Sequence, residues 1–204
     1  MTKELVPKLN LDQVIIAAPG PSLSKQQCEL IEKSGIFTIT IGDAGRVMLP
    51  HANVLYHCDK RWWDHYNGCP EFKGQYKFSL EQTDFPDIIK LPMAQRRDIL
   101  CLKPPMISTG KHSGYQAVNL AVHFGIKNII LVGYDMKDTK DGRHNVIGHH
   151  PDGVRKPYNF KLFIANMATL LPQLTALGIS IVNCTEDSDL NCFPRERLEN
   201  VIGA

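Results

Sequence analysis

The strongest constraint on the fold is a short apolar run that leads through a tight turn into the start of a helix. Residues 14–18 read Val-Ile-Ile-Ala-Ala, and Pro19-Gly20-Pro21 breaks the run. A run of this length and composition predicts a strand that is buried on both faces. Ser22 or Ser24 then stands where an N-cap would begin a helix over Lys25–Ser34.

Such a junction is typical of an anion site, because backbone N–H groups and the positive end of a helix dipole face the end of the strand. We expect Gly20, Pro21 and Ser22 to bind phosphate, and we expect Gly20→Val to abolish nucleotide binding without unfolding the chain. The alternative is an ordinary turn, because a lone glycine turn is weak evidence and no Gly-x-Gly-x-x-Gly pattern is present.

Strands and helices alternate along the rest of the chain. Further strands are predicted over 36–41, 53–57, 76–80, 99–102, 128–132 and 179–183, and further helices over 60–66, 113–124 and 159–177. This alternation predicts a Rossmann-like α/β fold with a mostly parallel sheet and helices on both faces. The length of 204 residues suits a single domain, 1–204, with an insert at about 137–158.

An aspartate follows three of the predicted strands: Asp43, Asp59 and Asp135. Ligands of such sheets bind beyond the carboxyl ends of the strands, so we expect all three to line a nucleotide site. Each is also a common kind of helix N-cap. Because carboxylates repel a bare diphosphate, either Mg²⁺ bridges Asp59 and Asp135 to the phosphates, or the carboxylates bind nucleoside hydroxyls away from that charge.

Two loops carry further candidate residues. Ser108, Thr109 and Gly110 precede Lys111 and the predicted helix at 113, and together they predict a second anion cradle. The insert at 137–158 holds candidates for a general base and for phosphate ligands, namely His144, His149, His150, Arg143, Arg155 and Lys156. Solvated loop residues are the alternative for the insert.

Composition excludes some partners. The formal net charge is +2, which gives no electrostatic case for nonspecific binding to nucleic acid or to a membrane surface. The first residues form no apolar signal region and no run is long enough to span a bilayer, so we expect a cytoplasmic protein. Six cysteines occur without a Cys-x-x-Cys pair, which favours reduced thiols. An oligomer remains compatible with the sequence.

Four segments together resemble the bacterial α-2,3/2,8-sialyltransferases. They are Val-Ile-Ile-Ala-x-x-Gly-Pro-Ser-Leu at 14–23, Ile-Ser-Thr-Gly at 107–110, Ile-Ile-Leu-Val-Gly-Tyr-Asp at 129–135 and Ile-Gly-His at 147–149. The same skeleton resembles a broader group that includes archaeal-type 6-hydroxymethylpterin pyrophosphokinases. The resemblance implies a Rossmann-like nucleotide-binding fold and a catalytic histidine at His149.

This chain departs from the sialyltransferase pattern at positions that bear on the reaction. Asp43 and Asp59 stand where that pattern has asparagine, and Met106 stands where it has arginine. We therefore expect a transferase with a nucleotide-sugar donor in which His149 is the general base. A Mg²⁺-dependent pyrophosphokinase-like enzyme that uses ATP is an alternative, and a nucleotide-binding module without catalysis is another. We expect the acceptor of the transferred group to be a glycan or a small molecule.

Overall fold

Seven parallel strands form one sheet in the part of the chain that the structure describes, and the prediction of an α/β fold is confirmed. The computed structural model describes residues 5–9, 11–95, 99–149 and 158–203. Within these ranges the strands are β1 (Gln13–Ala17), β2 (Thr38–Ile41), β3 (Val54–Tyr56), β4 (Tyr76–Ser79), β5 (Ile88–Lys90), β6 (Asn128–Val132) and β7 (Ser180–Asn183). Their order across the sheet is β5-β4-β3-β2-β1-β6-β7.

The order of the strands creates one switch point beside β1. Ile15 of β1 is in register with Thr38 of β2 on one side and with Ile130 of β6 on the other. The chain first moves outward from β1 to β5 and then returns to place β6 against the free side of β1. A crevice forms where the chain leaves in opposite directions from neighbouring strands, and open α/β sheets bind their ligands there.

Helices cover both faces of the sheet. They are α1 (Lys25–Ser34), α2 (Lys60–His65), α3 (Ser113–Phe124), α4 (Phe160–Ala168), α5 (Leu170–Ala176) and α6 (Leu198–Ile202), and a π-helix spans Ala44–Met48. Val14 and Ile16 pack on the face covered by α3, α4 and α5. Ile15 and Ala17 pack on the face covered by α1, α2 and α6. The strand is buried on both sides, as its unbroken apolar run predicts.

The first strand and helix follow the sequence prediction closely. Ser24 is the N-cap of α1, where its hydroxyl accepts a hydrogen bond from the Gln27 backbone N–H while the Gln27 side chain accepts one from the Ser24 backbone N–H. This capping box satisfies two N–H groups that the first helical turn leaves without partners. Gly35 ends the helix in the left-handed conformation, with φ of 64°.

Residues 99–102 do not form the predicted strand. The backbone N–H groups of Leu100 and Cys101 donate to the side-chain oxygens of Gln173 and Asn119, at 2.9 and 3.1 Å. Side-chain amides therefore satisfy the backbone here in place of a neighbouring strand. The outer strand is instead β5, which was not predicted because Pro86 and Pro92 lie close to its two ends.

The helix predicted over 159–177 is divided into α4 and α5 at Thr169. Pro172 has no N–H to donate to the carbonyl of residue 168, so a continuous helical ladder loses a bond at this point. The proline is tolerated because it lies in the first turn of α5, where N–H groups have no partner within the helix. The π-helix and α6 were not predicted.

Candidate functional site

A cavity of about 390 Å³ lies at the carboxyl ends of β1, β2, β3 and β6, beside the switch point. Its walls come from the segments that leave these strands, from the start of α3, from the insert and from the start of α4. Asp43, Asp59 and Asp135 all line it, together with Gly20. The structure therefore brings together four of the residues that the sequence assigned to a nucleotide site.

The Gly20-Pro21-Ser22 turn is held by the protein itself. The Gly20 N–H donates to the Gly133 carbonyl at 3.0 Å, and the Ser22 N–H donates to Asp135 Oδ1 at 3.0 Å. Pro21 has no N–H, and the Leu23 N–H donates to the Gly20 carbonyl. These bonds leave the turn without the donors that we expected a phosphate to use.

Asp135 connects the end of β6 to the turn after β1. The Ser22 hydroxyl donates to Asp135 Oδ2 at 2.8 Å, so the carboxylate accepts two bonds from one residue. Burial raises the pKa of Asp135, and the two bonds from Ser22 oppose that rise. A Cβ at Gly20 would collide with the Asp135 carboxylate and with the Gly133 carbonyl. Gly20→Val would therefore disturb the junction of β1 and β6, contrary to the expectation that the fold survives it.

Asp43 is fully buried at the end of β2. Its Oδ1 accepts a bond from Arg46 Nε at 2.8 Å, and its Oδ2 accepts one from Asn145 Nδ2 at 3.2 Å. Arg46 lies over the ring of Tyr66, 4.0 Å from its centre. Arg46 supplies the opposite charge that a buried carboxylate requires. The bond from Asn145 attaches the insert to the end of β2.

Asp59 performs the role of a helix cap at the end of β3. Its Oδ1 accepts a bond from the Arg61 backbone N–H at 3.1 Å and lies 3.5 Å from Arg61 Nε. In the described part of the chain, no group of three or more His, Cys, Asp or Glu side chains is arranged to hold a metal ion. Asp59 and Asp135 each accept hydrogen bonds from the protein itself.

Ser108, Thr109 and Gly110 position the loop before α3 and do not line the cavity. The Ser108 N–H donates to the Asn119 side chain at 3.0 Å. The carbonyl oxygens of Thr109 and Gly110 accept bonds of 2.7 Å from the side chains of Gln116 and Asn166. These contacts fix the direction in which the chain enters the helix.

The next four residues, Lys111 to Gly114, do line the cavity. The first turn of α3 has no side-chain cap, and the N–H groups of Ser113 and Gly114 have no acceptor among the described residues. Lys111 is exposed and has a φ of 66°, a backbone conformation that L-residues rarely adopt. The uncapped N–H groups thus lie a few residues after the positions predicted for an anion cradle in this loop.

His112 is held as a neutral side chain. Its ring lies 4.7 Å from the ring of Phe163, and burial lowers its pKa to about 3. No described acceptor or donor meets its Nε2 atom. At neutral pH the positive charge near the start of α3 therefore comes from Lys111 and from the helix dipole.

The insert brings His144, rather than His149, to the cavity. The His144 ring lies 4.5 Å from that of Tyr158 and 5.4 Å from that of His149, which is exposed. His144 Nδ1 is 3.7 Å from the Asp138 carboxylate. His150, Arg155 and Lys156 lie outside the described residues.

Asn145 is the residue of the insert that sequence reasoning missed. It is fully buried, it donates to Asp43, and its own side-chain oxygen accepts a bond from the Ile147 N–H at 3.1 Å. The adjacent Val146 N–H donates to the Pro19 carbonyl at 2.8 Å. An asparagine among the polar residues of a loop gives no signal that it will be buried.

Comparison of the sequence with protein-family models and with curated proteins finds no match. Among the described residues, no helix has both the length and the apolar character needed to cross a bilayer.

Proposed function

We propose that this chain is a nucleotide-dependent transferase that binds a nucleotide-sugar donor in the cavity at the switch point. One observation carries the proposal, namely that the uncapped first turn of α3, with Lys111, lines a cavity at the carboxyl ends of parallel strands. Uncapped N–H groups and the helix dipole favour phosphate, and this position in an α/β sheet is where ligands bind. In the proposal, Ser113 and Gly114 replace the Gly20-Pro21-Ser22 turn as donors to phosphate.

The carboxylates around the cavity are compatible with an anionic donor. Asp43 pairs with Arg46, and Asp59 lies beside Arg61. The Asp135 carboxylate accepts two hydrogen bonds from Ser22, and the charge of the nearby Lys137 opposes its own. With these charges offset, Lys111 gives the mouth of the cavity a positive charge that attracts phosphate.

Asp59 is the residue that we assign to the ribose. A carboxylate offers about four lone-pair sites, so capping α2 leaves it able to accept a bond from a hydroxyl. The assignment also agrees with the positions of Asp59 and Ser113, because both line the cavity and the N–H of the neighbouring Cys58 donates to the Ser113 hydroxyl at 3.3 Å. It requires no metal ion.

His144 is the general base in this proposal, and His149 is its alternative. A neutral imidazole accepts a proton from a hydroxyl through the ring nitrogen that carries no hydrogen. General-base catalysis contributes roughly 10²–10⁴-fold to turnover. The position of His144 on the cavity wall favours it over the exposed His149.

A thermal-shift panel of nucleotides and nucleotide sugars, with and without chelator, tests this function. A ligand that binds the native state raises its apparent stability by mass action, so we expect at least one nucleotide sugar to raise the Tm. Chelator should leave the shift unchanged. A shift that requires Mg²⁺ and ATP would favour the pyrophosphokinase-like alternative, and no shift with any ligand would contradict the proposal.

Two lysine variants then locate the phosphate. Lys111→Asn removes the charge and keeps a residue that tolerates a positive φ. Lys127→Asn is the matched control, because Lys127 is exposed at the opposite end of β6. We expect nucleotide affinity, measured by calorimetry, to fall about tenfold in Lys111→Asn and to stay unchanged in Lys127→Asn.

A further inference from the structure

The two tryptophans of the chain differ in one respect that the fold does not explain. Both are buried, with exposed fractions of 1 % for Trp62 and 0 % for Trp63. The Trp63 indole N–H donates to the His57 carbonyl at 3.0 Å. The Trp62 indole N–H has no acceptor among the described residues. A buried donor without a partner is destabilising and is rare in folded proteins, so it calls for an acceptor from elsewhere.

Trp62 lies on the wall of the cavity, at the ends of β2 and β3. Its ring stacks on that of His57, with centres 4.6 Å apart and planes inclined by 20°. The indole also approaches Gly42, since a Cβ built on Gly42 would lie 3.8 Å from Trp62 Cε2, the carbon bonded to the indole nitrogen. The same Cβ would approach His57 Cδ2 to 3.0 Å. A side chain at Gly42 would therefore press against His57, and the φ of 49° also favours glycine at this point of the cavity wall.

We propose that Gly42, His57 and Trp62 form the nucleobase subsite of the cavity, in which an acceptor atom on the edge of the base takes the Trp62 indole N–H. A nucleobase fits this chemistry because it is planar and carries carbonyl or ring-nitrogen acceptors on its edge. The subsite rests on the proposed function, since the phosphate of the same nucleotide would bind at α3. The subsite would distinguish nucleotides from sugar phosphates, because the Trp62 indole N–H stays without an acceptor when the ligand has no base.

The test compares nucleoside monophosphates of the four common bases with ribose 5-phosphate, which keeps the sugar and the phosphate but has no base. The two indole N–H signals of the wild-type protein report binding directly by nuclear magnetic resonance. We expect the Trp62 signal to move downfield with the preferred monophosphate and to stay in place with ribose 5-phosphate. The Trp63 signal should remain nearly constant, because its donor is already bonded to His57.

Calorimetry gives a second measurement. Trp62→Phe keeps an aromatic ring and removes the N–H, and Trp63→Phe is the matched control. We expect Trp62→Phe to bind the preferred monophosphate about tenfold more weakly and to bind ribose 5-phosphate as the wild type does. Trp63→Phe should change the ratio of the two affinities by less than about twofold.

The outcomes separate the subsite from the proposed function. If monophosphates bind but the Trp62 signal does not move, the subsite is overturned and the phosphate site stands. If Trp62→Phe folds and binds every monophosphate with wild-type affinity, the subsite is likewise overturned. If no monophosphate binds although a nucleotide sugar raises the Tm, the subsite is overturned and the proposed function stands, whereas if no nucleotide or nucleotide sugar binds, both fail.

Discussion

At the scale of single residues, the Gly-Pro-Ser turn shows how a strong sequence signal can have a structural cause. Gly20 is required because Asp135 and the Gly133 carbonyl occupy the space of a side chain, and Ser22 is required because it donates twice to Asp135. The turn therefore joins β1 to β6 at the switch point. The contact with Asp135 is sufficient to explain why glycine and serine occupy these positions, without a bound ligand.

Asp135→Asn tests this interpretation. An amide offers one oxygen where the carboxylate offers two, so one of the two donors of Ser22 loses its acceptor. We expect the free energy of unfolding, measured with denaturant, to fall by about 1–3 kcal/mol. Nucleotide affinity in the folded variant should remain within about threefold of wild type, with or without chelator. A stable variant that loses Mg²⁺-dependent binding would instead indicate a metal ligand.

The histidines of the insert give a second prediction at this scale. His144→Ala should lower the turnover of nucleotide-sugar transfer by about a hundredfold and change donor affinity little, because a general base acts on the acceptor hydroxyl. His149→Ala is the comparison, and we expect it to cost less than about fivefold. The opposite ranking in steady-state kinetics would restore His149 as the base.

At the scale of elements, the bond between Asp43 and Asn145 attaches the insert to β2 and so shapes one wall of the cavity. Asn145→Asp would place two carboxylates together where both side chains are buried, so one of them must bind a proton. We expect the variant to be less stable than wild type by about 3 kcal/mol at neutral pH. The difference should shrink as the pH falls, because protonation restores a donor.

Denaturant unfolding at several pH values measures that difference. Asn159→Asp is the matched control, since Asn159 is the exposed N-cap of α4 and aspartate caps a helix about as well. It should unfold as the wild type does at each pH. A constant deficit for Asn145→Asp across the pH range would mean that its carboxylate does not face that of Asp43.

The elements also show how far the sequence could predict this structure. Local signals were sufficient for β1 and α1, because the apolar run and the capping box lie within neighbouring residues. The contacts that build the site join residues far apart in sequence, with a separation of 113 positions for Ser22 and Asp135 and of 102 for Asp43 and Asn145. No periodicity encodes such pairs. The aspartates were predicted at the correct edge of the sheet, but their partners were not.

At the scale of the whole molecule, the neutral side chain of His112 makes the free energy of unfolding depend on pH. Burial lowers the pKa of His112 in the folded chain to about 3, whereas the unfolded chain binds that proton near 6.5. Between these values the unfolded state holds more protons, so the free energy of unfolding falls as the pH falls. Burial of His123 lowers its pKa and acts in the same direction.

His112→Leu tests this linkage. One proton taken up on unfolding corresponds to about 1.4 kcal/mol for each pH unit. We expect the slope of unfolding free energy against pH, measured between about pH 6 and pH 4, to decrease by up to that amount in the variant. An unchanged slope would show that His112 titrates alike in the folded and unfolded chains.

We propose above that the cavity binds the phosphate of a nucleotide at the first turn of α3. Backbone amide signals in a nuclear magnetic resonance titration with the nucleotide selected by the thermal-shift panel measure this directly. We expect the Ser113 and Gly114 amides to shift strongly, because they gain a charged acceptor, and the Ser22 and Leu23 amides to shift little, because they keep their protein acceptors. Large shifts at Ser22 with none at Ser113 and Gly114 would contradict the claim.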